Sequence, residues 1–244
     1  QTKLAKGDLQ SYRLGDIVRQ VKHEVEDGCV EVWLTSTDNG CYGLDIGTSL
    51  SELVQKVSEI ELDFMLRVGM MNPMYLQHMK DRLLESFAND KVFKFLHIPI
   101  QSGSDKVLKD MKRLHASKIF HDVNSSFRKR FDRFTIATDI IVGFPTETKD
   151  DFNKTLELIE KTRPDVINLS RYSVRSGTKA SQMEQIDVSE VKRRSKIVFD
   201  IAKKISQERN EEWIGWKGKV LFDEISEGIT KGRNFAYKQV VIDS

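Results

Sequence analysis

Cysteine is scarce in this chain. The 244 residues hold two, Cys29 and Cys41. They are too far apart for a CxxC pair and cannot by themselves complete a structural zinc site or a cysteine-ligated iron–sulfur cluster. Cys29 opens an apolar strand and reads as a small hydrophobe, while Cys41 lies in a loop beside Tyr42 and Gly43. Long apolar runs are missing too. Nothing approaches the roughly 20 residues of a membrane-spanning helix, and the polar N-terminus has no signal-peptide core. A cytoplasmic protein without a membrane partner is the expectation. Charge of one sign is also lacking: 39 Lys and Arg stand against 37 Asp and Glu, so no global field draws the chain to nucleic acid or lipid, and any such attraction is local. The phosphate loop GxxxxGK[ST], the nucleophile elbow GxSxG and the zinc motif HExxH are all absent, which removes the commonest readings of those chemistries.

What is present is a folded globular composition, 39% apolar and 9% aromatic, arranged in alternation. Ile17, Val18, Val21 and Val25 form a helical stripe, followed by a short strand at 29–36. Thr48 suits the N-cap of the next helix, and residues 64–71 make a second strand. Asn72 and Pro73 then open a helix. Further strands are expected at 92–100, 134–142 and 165–172, with helices over 103–113, 116–131 and 150–162. Near-continuous apolar strands joined by crossover helices predict an α/β fold with a parallel sheet covered on both faces. Five such units, with room for a sixth strand upstream, suggest a partial barrel, with a doubly wound sheet as the alternative. A charged helix over 188–212 follows, with Lys192, Arg193, Arg194, Lys196, Lys203, Lys204 and Arg209 on its polar face. Beyond it, 213–244 reads as the start of a small β domain, with strands KVLFDEI and YKQVVID separated by GITKGRN.

In parallel α/β folds ligands sit outside the carboxyl ends of the strands. The polar residues there are Ser36 and Asp38; Gln101, Ser102 and Ser104; Gly143; and Tyr172 and Arg175. Asp139 lies inside an apolar strand and must meet a partner or a ligand, because burying a lone carboxylate is costly. Arg175 could grip a carboxylate bidentately or pair with a neighbouring acid. His97 reads as packing within the strand layer, and the run Arg128, Lys129, Arg130, Arg133 as a solvated helix end.

The segments EVWLTSTDNGCYGLDIGT (31–48), RVGMMNP (67–73), FLHIPIQSGSDKVLKDMKR (95–113) and ATDIIVGFPTET (137–148), in this order, resemble those of the radical S-adenosylmethionine (SAM) methylthiotransferases. The first two are most similar to the archaeal and eukaryotic branch that modifies threonylcarbamoyladenosine in tRNA. The resemblance implies a TIM-like partial (βα)6 radical SAM barrel over 1–212 and the opening of a TRAM module over 213–244. It implies SAM and [4Fe–4S] clusters as cofactors, tRNA as substrate and a sulfur donor of unknown identity. The adenine ring of the modified nucleoside would gain a methylthio group by radical chemistry, the cofactors supplying the hard step. The cluster cysteines of the family are not in this sequence. QTKLAKGDLQSY (1–12) is similar to the loop that follows them, so the chain by itself is expected to be inactive.

Carried over by position, Ser36 and Asp38 would lie near the methionine amino group of SAM. Gln101, Ser102 and Ser104 would approach its ribose or carboxylate; Asp139 is added to the cofactor-binding residues from its place in the apolar strand. Ile141 and Gly143 would offer backbone to the adenine, helped by Tyr172, and Arg175 would face an anionic group. The sequence departs from the family at Lys6, where arginine is usual, and at Ser176, where proline is usual and would pre-set the turn. Three other readings compete with this one. A near alternative is a methylthiotransferase acting on a ribosomal-protein aspartate. A second is a non-catalytic RNA-binding protein using the TRAM-like segment and the basic helix. A third is an ordinary metabolic barrel enzyme acting on a phosphorylated small molecule, which the missing phosphate loop disfavours.

Overall fold

A computed structural model describes residues 7–226 and 228–243. Residues 1–6, which hold Lys6 and the first half of the expected post-cluster loop, lie outside the described residues. In chain order the elements are α1 (Leu14–Glu26), β1 (Glu31–Leu34), α2 (Leu50–Ser58), β2 (Met65–Val68), α3 (Pro73–Ser86), β3 (Phe95–His97), α4 (Asp105–Asp110) and α5 (Ser117–Arg130). There follow β4 (Thr135–Val142), α6 (Lys149–Thr162), β5 (Val166–Arg171), α7 (Val188–Glu211), β6 (Val220–Ser226), β7 (Ile229–Asn234) and β8 (Gln239–Asp243). The chain divides into two compact units, one running to Phe95 and resuming at Val220, the other spanning Leu96–Lys219.

In the first unit β1 and β2 pair in parallel, Glu31 opposite Met65 and Trp33 opposite Arg67. Leu50, Val54 and Val57 of α2 and Leu76 and Leu83 of α3 are fully buried with Leu66 of β2. Each such side chain removed from water stabilises by about 1.5–3 kcal/mol. Local chemistry sets the helix starts. Asn72 Oδ1 accepts from Met74 N at 3.2 Å and Pro73 takes the first helical position of α3, where its missing N–H costs nothing. At α2 the cap is Ser49, whose Oγ accepts from Glu52 N at 3.2 Å. Thr48, the expected cap, instead donates its hydroxyl to the Glu52 carboxylate at 2.7 Å. The closing β segment has three antiparallel strands in the order β6-β7-β8, not two. GITKGRN, expected to be a connection, is β7: its backbone pairs on both sides although its side chains are mostly polar.

In the second unit the parallel sheet runs β3-β4-β5. Asp139 stands opposite Asn168 and Ile141 opposite Ser170. Along β4, Thr138, Ile140 and Val142 are buried, whereas Asp139 and Ile141 are only half-buried. On β5, Asn168 and Ser170 are exposed and Ile167 and Leu169 half-buried. The side chain period of two therefore gives this sheet one covered face and one more open face. The expectation of two covered faces is corrected: the open face carries the polar residues of β4 and β5. Phe120, Val123 and Phe127 of α5 and Phe152 of α6 are buried in this unit, as is Val198 of α7. Arg194, expected on the charged face of α7, is also buried at 5% exposure.

Candidate functional site

The open face of the second unit is built around one carboxylate oxygen. Asp139 Oδ1 on β4 accepts from His97 Nε2 at the end of β3 at 2.8 Å and from Asn168 Nδ2 on β5 at 2.9 Å. Three adjacent strands thus converge on a single acid. Burial would push the Asp139 carboxyl up. The His97 and Asn168 hydrogen bonds and the nearby charges of His97 and Arg113 outweigh that and hold it below the usual carboxylate range. It is an anion at neutral pH. Arg113, just past α4, feels that charge without forming an ion pair to it, and burial pulls its guanidinium below the usual arginine range. His97 is therefore more than strand packing: it orients Asp139. The sequence reads His97 as strand packing and gives no sign of Asn168 or Arg113.

Beyond β3 the chain continues the sheet by a single bridge between Gln101 and Ile140. Gln101 N donates to Asp139 O at 2.8 Å and Ile141 N donates to Gln101 O at 2.9 Å. Gln101 does this with a left-handed backbone, φ +75°, a conformation that costs a non-glycine residue roughly 1–2 kcal/mol. The left-handed turn ends the strand and bends the chain into the Ser102–Ser104 loop. Both serines are fully buried. Ser102 Oγ contacts Thr155 Oγ1 at 3.3 Å and accepts from Ser104 N at 3.1 Å. Ser104 Oγ donates to Asp151 Oδ1 at 2.6 Å and caps α4 by accepting from Val107 N. Burial opposes ionisation of Asp151, but the Ser104 and Thr148 hydrogen bonds and Lys106 bring its carboxyl to about 2. The two serines anchor the loop to α6, and their hydroxyls are already engaged there.

The loop beyond β4 is fixed from two sides. Gly143 N donates to Glu147 Oε2 at 2.9 Å, so Ile141 and Gly143 both have their amide N–H groups engaged. Glu147 also receives Arg194 Nη1 of α7 at 2.8 Å on Oε2 and again on its backbone carbonyl. Arg194 Nε reaches Glu190 at 2.8 Å. Burial raises the Glu147 carboxyl despite these partners. The Phe144 ring beside Gly143 meets Tyr172 edge to face at 5.2 Å, and Tyr172 N donates to Val142 O. Phe144 and Tyr172 thus form an aromatic wall at the carboxyl end of β4 and β5. Arg175 is exposed, and among the described residues its side chain makes no ion pair. Its carbonyl accepts from Thr178 Oγ1 at 2.7 Å and closes the turn.

Ser36 and Asp38 belong to the first unit. Ser36 is exposed, and its Oγ accepts from Asp38 N at 3.0 Å. Asp38 Oδ1 accepts from Gly40 N at 2.9 Å and from Asn72 N at 3.0 Å. It thereby ties the turn at Asn39–Cys41 to the start of α3. Burial pushes its carboxyl up against the lowering effect of those two amides. Cys29 Sγ and Cys41 Sγ contact the carbonyls of Glu31 and Asp38, both at 3.1 Å. Among the described residues no group of three or more His, Cys, Asp or Glu could hold a metal ion, so these residues do not fit an iron–sulfur cluster. Asp139 and Asn168 on the open face offer an anion and an amide, and the Phe144–Tyr172 pair at the strand ends offers ring surface; a ligand with cationic, hydroxylated and planar parts, such as SAM, could use groups of these kinds. Among the described residues no helix is long and apolar enough to cross a membrane.

A family model described as the radical SAM superfamily matches residues 2–159. The chain is 45% identical to a protein of Archaeoglobus fulgidus named "Probable threonylcarbamoyladenosine tRNA methylthiotransferase", over 99% of this chain and 58% of that protein. It is 41% identical to the threonylcarbamoyladenosine tRNA methylthiotransferase of Drosophila melanogaster, over 99% of this chain and 44% of that one. It therefore spans about half the length of these relatives. Among solved structures, coproporphyrinogen III oxidase of Escherichia coli, a radical SAM enzyme, aligns with TM-score 0.58 at 13% identity over 79% of this chain and 45% of its own. Methylornithine synthase aligns with TM-score 0.51 at 16% identity over 82% of this chain and 56% of its own. These likenesses give the fold. With parallel strands whose carboxyl ends carry the polar loops, and a family match over more than half its length, the chain belongs to the radical SAM superfamily.

Proposed function

We propose that this chain is the core of a tRNA methylthiotransferase that converts N6-threonylcarbamoyladenosine to its 2-methylthio derivative. One observation carries the reading: identity of 45% and 41%, over nearly the whole chain, to relatives that bear that name. Their names speak for a tRNA nucleoside over a ribosomal-protein aspartate, and the superfamily match speaks for an enzyme over a binding module. The activity, the tRNA substrate, the [4Fe–4S] clusters and a cytoplasmic setting belong to the whole protein under this proposal. So does the division into a radical SAM core over 1–212 and a TRAM-like segment over 213–244.

SAM, when bound and reduced, supplies the hydrogen-abstracting radical chemistry. The residues of this chain do the positioning. Asp139, held as an anion by His97 and Asn168, attracts a cationic or hydroxyl group of the cofactor. Gln101, placed by its left-handed turn, ties the loop to β4 through its backbone bonds to Asp139 and Ile141, and its side chain is assigned to the cofactor. Phe144 and Tyr172 give a planar ring a surface to pack on, beside the backbone of Ile141 and Gly143. Asp38 and Ser36 are assigned to the amino end of the methionine moiety, and Arg175 is the cation for an anionic group. Ser102 and Ser104 act through the loop they anchor.

The test uses the full-length protein, reconstituted anaerobically with iron and sulfide. Its tRNA nucleosides are analysed by mass spectrometry for conversion of threonylcarbamoyladenosine to the methylthio product. No product from a cluster-loaded enzyme would refute the assignment. SAM titration of Asp38→Ala, Gln101→Ala and Asp139→Asn tests the residues separately, and unchanged affinity in all three removes them from the site.

A further inference from the structure

The opposite end of the same sheet carries a second polar feature. Phe134 precedes β4 and Asp165 precedes β5, so both mark the amino ends of these strands, away from the loops of the candidate site. A cavity of about 230 Å³ opens there, lined by Arg128, Arg133, Arg209, Asp165 and Trp213 among others. Arg128 is no solvated helix end: its Nη2 donates to Asp165 at 2.9 Å and to Arg163 O at 3.0 Å. Arg209 donates through Nη1 to both Glu212 oxygens at 2.8 Å, and its Nε lies 3.8 Å from Asp165.

Among the described residues Arg209 Nε is buried without a hydrogen-bond partner but has Asp165 near it; Arg133 has no such acid. Its guanidinium lies over the Trp213 ring at 4.7 Å, which occupies its face and leaves its edge. Nη1 is buried and has no hydrogen-bond partner among the described residues. A buried guanidinium N–H without an acceptor is costly and calls for one. The charges agree. Asp165 pairs with Arg128 and Glu212 with Arg209, whereas Asp132 is exposed and Arg133 forms no ion pair among the described residues. An acceptor with several anionic oxygens would satisfy both the orphaned N–H and the one guanidinium of the three that has no carboxylate partner.

The geometry points to a phosphate-binding site at the amino ends of β4 and β5, with Arg133 as its principal ligand and Trp213 as the plate that holds Arg133 in place. The phosphate comes either from a small phosphorylated molecule or from an RNA backbone. The site stands whether or not the methylthiotransferase assignment holds, because it uses none of the residues given to SAM.

The experiment titrates inorganic phosphate into the purified protein and into Arg133→Gln, Arg133→Lys and Trp213→Leu. Tryptophan emission and the thermal midpoint are the readouts, with chloride at matched ionic strength as the control. The expected result is saturable binding that falls about tenfold in Arg133→Gln, is partly kept in Arg133→Lys and is weakened in Trp213→Leu. Arg133→Lys keeps the charge and guards against a folding artefact. Equal phosphate binding by Arg133→Gln and the parent, or no saturable binding by the parent, overturns the site. Anisotropy titration with a single-stranded RNA distinguishes the sources. Weaker RNA binding by Arg133→Gln with a shallower salt dependence assigns the phosphate to RNA, and unchanged RNA binding beside lost phosphate binding assigns it to a small molecule.

Discussion

Asp139 and His97 lie 42 residues apart and meet at 2.8 Å, side chain to side chain, across neighbouring strands. With Asn168 on the far side, the acid has a fixed rotamer and a fixed charge before any ligand arrives, and such pre-organisation is what a binding group needs.

Asp139→Asn keeps the size of the side chain and removes the anion. His97 and Asn168 lose a charge-assisted acceptor, worth about 1–2 kcal/mol. Because the folded carboxyl is held below its ordinary range, its stabilisation is present above that range and fades as pH falls through it. The parent should therefore lose more urea stability than Asp139→Asn on acidification from neutral pH to pH 3. Parallel curves would show that the acid is not held by His97 and Asn168.

Ser104→Ala removes the 2.6 Å donor to Asp151. The Asp151 carboxyl sits at about 2 when folded and near 3.9 when unfolded, so it contributes about 2–3 kcal/mol at neutral pH, lost progressively between about pH 5 and pH 1. Ser104→Ala should reduce stability at pH 7 by about 1–2 kcal/mol and shrink that acid-sensitive window. Denaturant midpoints at a series of pH values measure both, and an unaltered acid limb would contradict the prediction.

Arg194→Met strands Glu147. The carboxylate is buried, its Oε1 already lacks a partner, and loss of one member of a buried pair costs about 3–5 kcal/mol. Burial raises this carboxyl when folded. In the variant, with Arg194 gone, the penalty should be small where Glu147 is protonated and grow as pH rises through the carboxylate range. Urea midpoints at pH 5 and pH 8 should diverge more in Arg194→Met than in the parent. The double variant Glu147→Gln with Arg194→Met should recover part of the loss, and no recovery would mean that the pair is not what the single change breaks.

Periodicity alone makes the helices and the parallel strands legible, because their apolar positions repeat at 3.6 and 2 residues. The N-cap of α2 shifts from Thr48 to Ser49 because two neighbouring hydroxyls compete and only Ser49 reaches the Glu52 amide. β7 is hidden because Thr230, Lys231 and Arg233 carry no apolar alternation; its strand character comes from partners on both sides. The acid at 139 is visible as a charge in an apolar strand, but its contacts with His97 and Asn168 are not, since they depend on register between strands. Arg194 reads as one more cation on a basic helix, and only its depth against Glu147 sets it apart.

Gly103 and Gly177 separate two reasons for glycine. A Cβ on Gly103 would lie 2.4 Å from Lys154 O and 2.6 Å from Thr155 Cα, both backbone atoms of α6. Gly177 has φ +76° and open space around it. Gly103→Ala must push the Ser102–Ser104 loop off α6, at a cost of about 1–3 kcal/mol, and should disturb the Ser104–Asp151 contact. Its acid-sensitive window should then shrink as in Ser104→Ala. Gly177→Ala meets no neighbour and carries only the left-handed penalty of about 1 kcal/mol, with the acid limb untouched. Denaturant midpoints at pH 7 and pH 3 for the two variants measure the contrast. A Gly103→Ala protein with full stability and a normal acid limb would show that the loop can stand away from α6 without loss.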